Sequence, residues 1–266
     1  MRRTFASHWP EYAIEAVGLG LFMLSACVFG TLLAHPSSPV ARVVASPLLL
    51  RACMGVAMGL TALGLVLSPW GKRSGAHFNP ALTLSFLRLG KIAPWDALFY
   101  VAAQVIGGIA GVAAASHLLG QRLADPAVHY VVTVGAYGPR VAFAAELAIS
   151  FGLMTAVLTF ASTPALNRYT AFVAGFLVAT YITFEAPFSG MSMNPARTLA
   201  SAVHAHWWPA LWIYFTAPTL GMLAAAECHL RMPRAPRVLC AKLHHDNPMR
   251  CIFRCEYPPH AGSRER

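Results

Sequence analysis

An undecapeptide occurs twice in this chain. Ser74 to Leu84 reads SGAHFNPALTL and Ser189 to Leu199 reads SGMSMNPARTL, with seven of the eleven positions identical. At the centre of each copy stands one tripeptide, Asn79-Pro80-Ala81 and Asn194-Pro195-Ala196, 115 residues apart (194 − 79). Asn is among the best N-cap residues, Pro suits the first helical position because its missing N–H needs no partner there, and Ala propagates the helix. Each copy therefore reads as a helix start. The apolar stretches that contain these starts, 78–87 and 193–203, are too short to cross a bilayer core of roughly 30 Å.

The rest of the chain is built for lipid. Only 11% of residues are charged, against about a quarter in a soluble domain, and mean hydropathy is +0.55. Six apolar spans are expected at about 11–34, 48–69, 95–119, 140–162, 169–186 and 207–230. Met1-Arg2-Arg3 and the apolar run ending in Leu24-Ser25-Ala26-Cys27 imitate a lipoprotein signal peptide. However, Glu11 and Glu15 interrupt the run and apolar character continues to about Ala34, so a retained first span is expected. The formal charge of +10 does not call for nucleic acid, because eight of the 20 basic residues follow Leu230 in a tail. Arg2, Arg3, Lys72, Arg73, Arg88, Lys91, Arg168 and the tail fall on one side of a six-span arrangement; this predicts cytoplasmic termini and a multi-pass protein of the cell membrane.

Three spans per half is an odd number, so the second copy enters from the opposite face and the halves are inverted. The predicted fold class is an all-α membrane protein with six transmembrane helices and two re-entrant half-helices in an inverted three-plus-three repeat. Short interrupted apolar segments at matching places in two halves point to a transport site. Irregular backbone at that depth must be buried in protein or line a water-filled cavity. A helix N-terminus carries about half a positive charge and unsatisfied N–H groups. Two such ends meeting at the midplane repel cations, and the Asn amides can donate to a passing oxygen. Both hydrogens of a bound water then point away from the centre, which opposes proton hopping.

The repeat extends beyond the tripeptides. Glu15 and Glu146 each open a span, with Met23 and Met154 eight residues on; Trp95 and Trp208, then Gly107 and Gly221, echo one another. With Gln104-Val-Ile-Gly-Gly108, Arg197 and Ile213-Tyr-Phe-Thr-Ala-Pro218, the pattern resembles the major intrinsic protein (aquaporin) family over about residues 10–231. The resemblance implies a passive channel, not an enzyme, assembled as a homotetramer in the lipid bilayer. In it Glu15 and Glu146 hold the re-entrant loops. The alternative for a buried acid pair is an ion or proton relay, and their equivalent repeat positions favour the scaffold role. Organisation is expected as an N-terminus at 1–10, a first repeat at 11–119, a connecting loop at 120–139, a second repeat at 140–231 and a basic tail at 232–266.

Arg197 lies three residues beyond Asn194, whereas its repeat mate is Leu82, so a fixed positive charge is expected on one side of the pore only. By the family pattern Ile182 stands where water-selective members usually have His, and Met191 takes the loop position. Met58-Gly59-Leu60 resembles the family's aromatic-Gly-Leu and puts Met58 on the wall, although one extra residue in the loop 68–74 makes Gly59 the choice by strict counting. The expected filter is Met58 (or Gly59), Ile182, Met191 and Arg197. Thr198 stands where glycerol-conducting members usually have Asp, and Tyr214-Phe215 where they have Pro-Leu. The expected cargo is water, with small neutral solutes such as glycerol, urea or a metalloid acid as the alternative, and a coupled secondary transporter behind both.

The tail carries CAKLHHDNPMRCIFRC, in which Cys240, His244, His245, Cys251 and Cys255 are candidate ligands for a soft or borderline metal such as Zn²⁺; otherwise no cofactor is expected. Nothing in the family pattern explains this array. A basic tail of reduced thiols is the plainer reading.

Overall fold

The computed structural model describes residues 1–245 and 247–257, and among them it is helical with no strand. Eight helices form the body: α1 (Arg2–Ala34), α2 (Pro47–Leu67), α3 (Pro80–Arg88), α4 (Pro94–Leu119), α5 (Pro139–Ala161), α6 (Thr170–Phe184), α7 (Pro195–Ala205) and α8 (Leu211–Arg231). The segment containing α1, and α2, α4 and α5, are each long and apolar enough to cross a membrane. Two elements are shorter than the sequence predicts. α6 has 15 residues, about 22 Å at 1.5 Å per residue, and a separate turn of helix, Ala186–Ser189, carries the path onward. α8 opens only at Leu211, because Ala210 at its N-cap is left-handed with φ 54°. α1 is longer than predicted: it starts at Arg2 and runs through Pro10.

The packing repeats between halves. α1 lies along α4, and α5 along α8, while α2 and α6 meet across the two halves. The half-helices α3 and α7 both sit between α4 and α8. The close crossings fall at equivalent residues. A Cβ on Gly107 would collide with the carbonyl of Ala16, and one on Gly221 with the carbonyl of Leu147. Ala16 and Leu147 directly follow Glu15 and Glu146. Gly59 and Gly175 make the crossing between halves, each facing the other's carbonyl oxygen. Without side chains in the way, backbones approach as lipid-embedded helices require.

The outer surface tells which solvent surrounds the bundle. Val56, Leu60, Ile106, Phe176 and Leu220 are all exposed on it. All six tryptophans are exposed; Trp70, Trp95, Trp207, Trp208 and Trp212 lie at or beside helix ends, and Trp9 lies two turns into α1. An apolar belt bordered by tryptophan is the surface of a protein whose solvent is a bilayer.

Candidate functional site

The two undecapeptides fold into matched turns, each ending at a half-helix. Gly75 and Gly190 take left-handed backbone (φ 94° and 86°), and so do Ala76 and Met191, then Phe78 and Met193. A side chain with positive φ is uncommon and needs surroundings that enforce it. Glu15 supplies them in the first half. Its carboxylate accepts from Ser74 Oγ (2.8 Å), the His77 N–H (3.1 Å), the Phe78 N–H (2.6 Å) and Gln104 Nε2 (2.8 Å). Glu146 repeats the pattern with Ser189 Oγ (2.9 Å), the Ser192 N–H (2.6 Å) and the Met193 N–H (2.8 Å). A tyrosine closes each turn: Tyr100 donates to the Ser74 carbonyl (2.6 Å), and Tyr214 to that of Ser189 (2.5 Å).

The helix starts behave as N-caps. Asn79 Oδ1 accepts from the Ala81 N–H at 2.9 Å; Asn194 Oδ1 accepts from those of Ala196 and Arg197 at 3.1 and 3.2 Å. Each amide nitrogen crosses to the other copy. Asn79 Nδ2 donates to the Met193 carbonyl and Asn194 Nδ2 to that of Phe78, both at 2.7 Å. A primary amide has two N–H groups, so this bond uses one from each Asn. Pro80 and Ala81, and Pro195 and Ala196, are buried behind them.

Both asparagines line a cavity of about 310 Å³ that also reaches Met58, Ile182, Met191 and Arg197. The four residues picked from sequence thus share one wall. Gly59 is not on it, being spent on the crossing with Gly175. The lining also includes Arg51, on α2, which sequence reading passed over; an Arg inside an apolar span was the available signal. Thr133, from the connecting loop, accepts a hydrogen bond from the Arg197 guanidinium and pairs with Thr198 Oγ1 at 3.1 Å. No pattern in the chain announces it. Glu185, beside the end of α6, is a further acid with both carboxylate oxygens buried.

The lining also includes His77 and, from the tail, Leu243. His77 is buried, with Nδ1 3.0 Å from Thr83 Oγ1 and Nε2 donating to the Ala241 carbonyl at 2.8 Å. Its neighbours make it a link between the pore loop and the tail. In the tail, Cys240, His245, Cys251 and Cys255 come together, and His244 stands outside that group. Hydrogen bonding with Cys240, Cys251 and His245 holds the Cys255 thiol well below its ordinary range, and bonding to Cys251 and Cys255 with burial pushes Cys240 well above it. Burial lowers the Lys242 ammonium.

A family model described as major intrinsic protein matches residues 3–229. The chain is 40% identical over 170 residues to Aquaporin NIP6-1 of Arabidopsis thaliana, covering 63% of this chain and 53% of that protein. It is 38% identical over 188 residues to Aquaporin NIP3-1 of Zea mays, covering 69% and 59%. The chain thus spans between half and three fifths of the length of these curated relatives. Among solved structures, the aquaglyceroporin from Plasmodium falciparum has the same fold, with a TM-score of 0.72 at 18% identity over 85% of this chain and 96% of that one.

Proposed function

The chain belongs to the major intrinsic protein family of passive membrane channels, which are not enzymes, and we propose that its pore conducts water, admits small neutral solutes beside it, and excludes protons and ions. The observation that carries this reading is the pair of asparagines that line one cavity and each hold the other's loop. Each amide has one N–H left for a passing oxygen, and each caps a helix whose positive end faces the same point. A water held by both asparagines turns its own hydrogens outward and breaks the donor chain that protons would follow. Arg197 adds a fixed charge, steadied by Thr133.

The solute range follows from the rest of that wall. Met58, Ile182 and Met191 offer no strong hydrogen-bond donor, so discrimination there rests on bore and on Arg197. This supports passage of small uncharged solutes such as glycerol, urea or a metalloid acid. Thr198 and the aromatic pair Tyr214-Phe215 support water as the principal cargo. A coupled transporter is disfavoured because Glu15 and Glu146 are occupied as acceptors for loop donors. The distribution of basic residues supports cytoplasmic termini in a cell-membrane protein, and the family resemblance supports a homotetramer with one pore per subunit.

Stopped-flow light scattering on proteoliposomes tests this, with water, glycerol, urea and a proton-sensitive dye compared. Faster osmotic shrinkage than in protein-free vesicles, without proton entry, is the expected result. Equal shrinkage rates refute the water reading, and proton-coupled uptake refutes the channel reading.

A further inference from the structure

Beyond α8, positions 232–257 form neither helix nor strand among the described residues. Such a stretch should be loose, because too few apolar groups are available to offset the entropy of ordering it. Instead Cys240, Ala241, Lys242 and Leu243 are all buried. The segment is fastened to the membrane body at separate points. The Leu243 N–H donates to the Gly75 carbonyl (3.1 Å), the Arg254 N–H to that of Lys91 (3.0 Å), and Tyr257 Oη to that of Ala161 (2.6 Å). Phe253 stacks on His77 with ring centroids 5.3 Å apart.

What organises the segment itself is its thiols. The sulfurs of Cys240, Cys251 and Cys255 and a ring nitrogen of His245 all lie within 4.8 Å of one another. Cys240 and Cys251 sulfurs are 3.5 Å apart, and Cys255 Sγ is 3.0 Å from His245 Nε2. Zinc bonded to sulfur at about 2.3 Å in a tetrahedron sets its sulfurs ~3.8 Å apart. The His245 ring stacks on that of Tyr257, centroids 4.3 Å apart, which limits its rotation. Beside them Lys242 is buried, its ammonium donating to the Met249 and Arg250 carbonyls at 3.0 and 2.8 Å. Three thiolates around a divalent ion leave one net negative charge, which is what a buried ammonium requires.

We propose that Cys240, His245, Cys251 and Cys255 bind one zinc-like divalent ion, and that this ion clasps the tail against the pore loop with Leu243 set on the cavity lining. Binding releases the remaining thiol protons to solvent, and no electron transfer is involved. The metal site stands without the conduction reading; only the claim about flux rests on it. Chelation frees the segment from 240 to 255 and with it Leu243, so the bound form is the less permeable one.

The test uses the full chain, purified in detergent under reducing conditions, stripped with a chelator and reloaded with Zn²⁺ or Co²⁺. One metal per chain should survive gel filtration, and Co²⁺ should give the visible absorption of a tetrahedral thiolate site. The Cys251→Ser/Cys255→Ser variant should lose both signals, and His244→Ala should keep them. Metal retained by the double variant, no metal retained by the parent chain, or titratable thiols lost to a disulfide would each overturn the site. In proteoliposomes, stripped protein should pass water several-fold faster than zinc-loaded protein, and Leu243→Gly should narrow that difference. Equal rates overturn the clasp while leaving the metal site intact. If neither form outpaces empty vesicles, conduction itself fails and the clasp falls with it, while the metal count still decides the site.

Discussion

Asn79 and Asn194 each hold the other's loop, Nδ2 of one on the Met193 carbonyl and Nδ2 of the other on the Phe78 carbonyl, both at 2.7 Å. Because each also caps its own half-helix through Oδ1, one side chain serves both repeats at once. Asn79→Ala removes the cap, worth about 1 kcal/mol, and leaves the Met193 carbonyl unpaired. We expect a lower melting temperature in detergent and a several-fold loss of water flux. Asn194→Ala should match it in direction, and a variant that lost neither stability nor flux would contradict the cross-tie.

Glu15 and Glu146 separate scaffold from relay. Each faces only donors, so Glu→Gln sets an amide NH₂ against groups that need an acceptor. An unmet donor in a buried site costs about 1–3 kcal/mol. Glu15→Gln and Glu146→Gln should both reduce folded yield, measured by fluorescence-detected gel filtration. A proton relay predicts something else: a well-folded Gln variant that has lost only coupled uptake.

The close helix crossings give a matched pair of tests. Gly107→Ala and Gly221→Ala each drive a methyl into a carbonyl oxygen of the neighbouring helix. Overpacking of this kind costs typically 1–3 kcal/mol. Gly64→Ala, with open space around it, should be tolerated. Thermal stability of the three purified variants would show whether the two crossings are equivalent.

Arg197→Val should loosen exclusion of cations and of larger solutes with folding largely intact, read as ion leak and urea flux in vesicles. Thr133→Val, which removes only the hydroxyl that accepts from Arg197, should shift selectivity in the same direction by a smaller factor. Unaltered selectivity in Arg197→Val would mean that the filter lies elsewhere on the wall.

Much of this could be read in the chain because it is stated twice. The turns around Glu15 and Glu146 share a serine hydroxyl and two backbone N–H partners at equivalent positions, Gln104 being the addition in the first half, so the repeat itself exposes them. Met58, Ile182, Met191 and Arg197, the residues the family pattern suggests for the filter, all line the one cavity. Strict counting offers Gly59 in place of Met58; Gly59 lies off that lining, where α2 meets Gly175, because packing decides which way a helix face points. Thr133 left no mark because it sits in an irregular loop and acts through one hydroxyl. The tail array was visible as composition, yet its contact with His77 joins residues 164 apart, and no local spacing reports that.

Placing both half-helices between α4 and α8 has a consequence for biosynthesis. When the first repeat leaves the ribosome, α8 does not yet exist, and the Phe78 carbonyl has no Asn194 to meet. The first re-entrant loop therefore enters the bilayer with its polar backbone unpaired, or waits at the surface. Only translation past Leu211 supplies the missing wall. A chain split in the connecting loop should recover its fold when both fragments are made in one cell, and neither fragment should accumulate by itself.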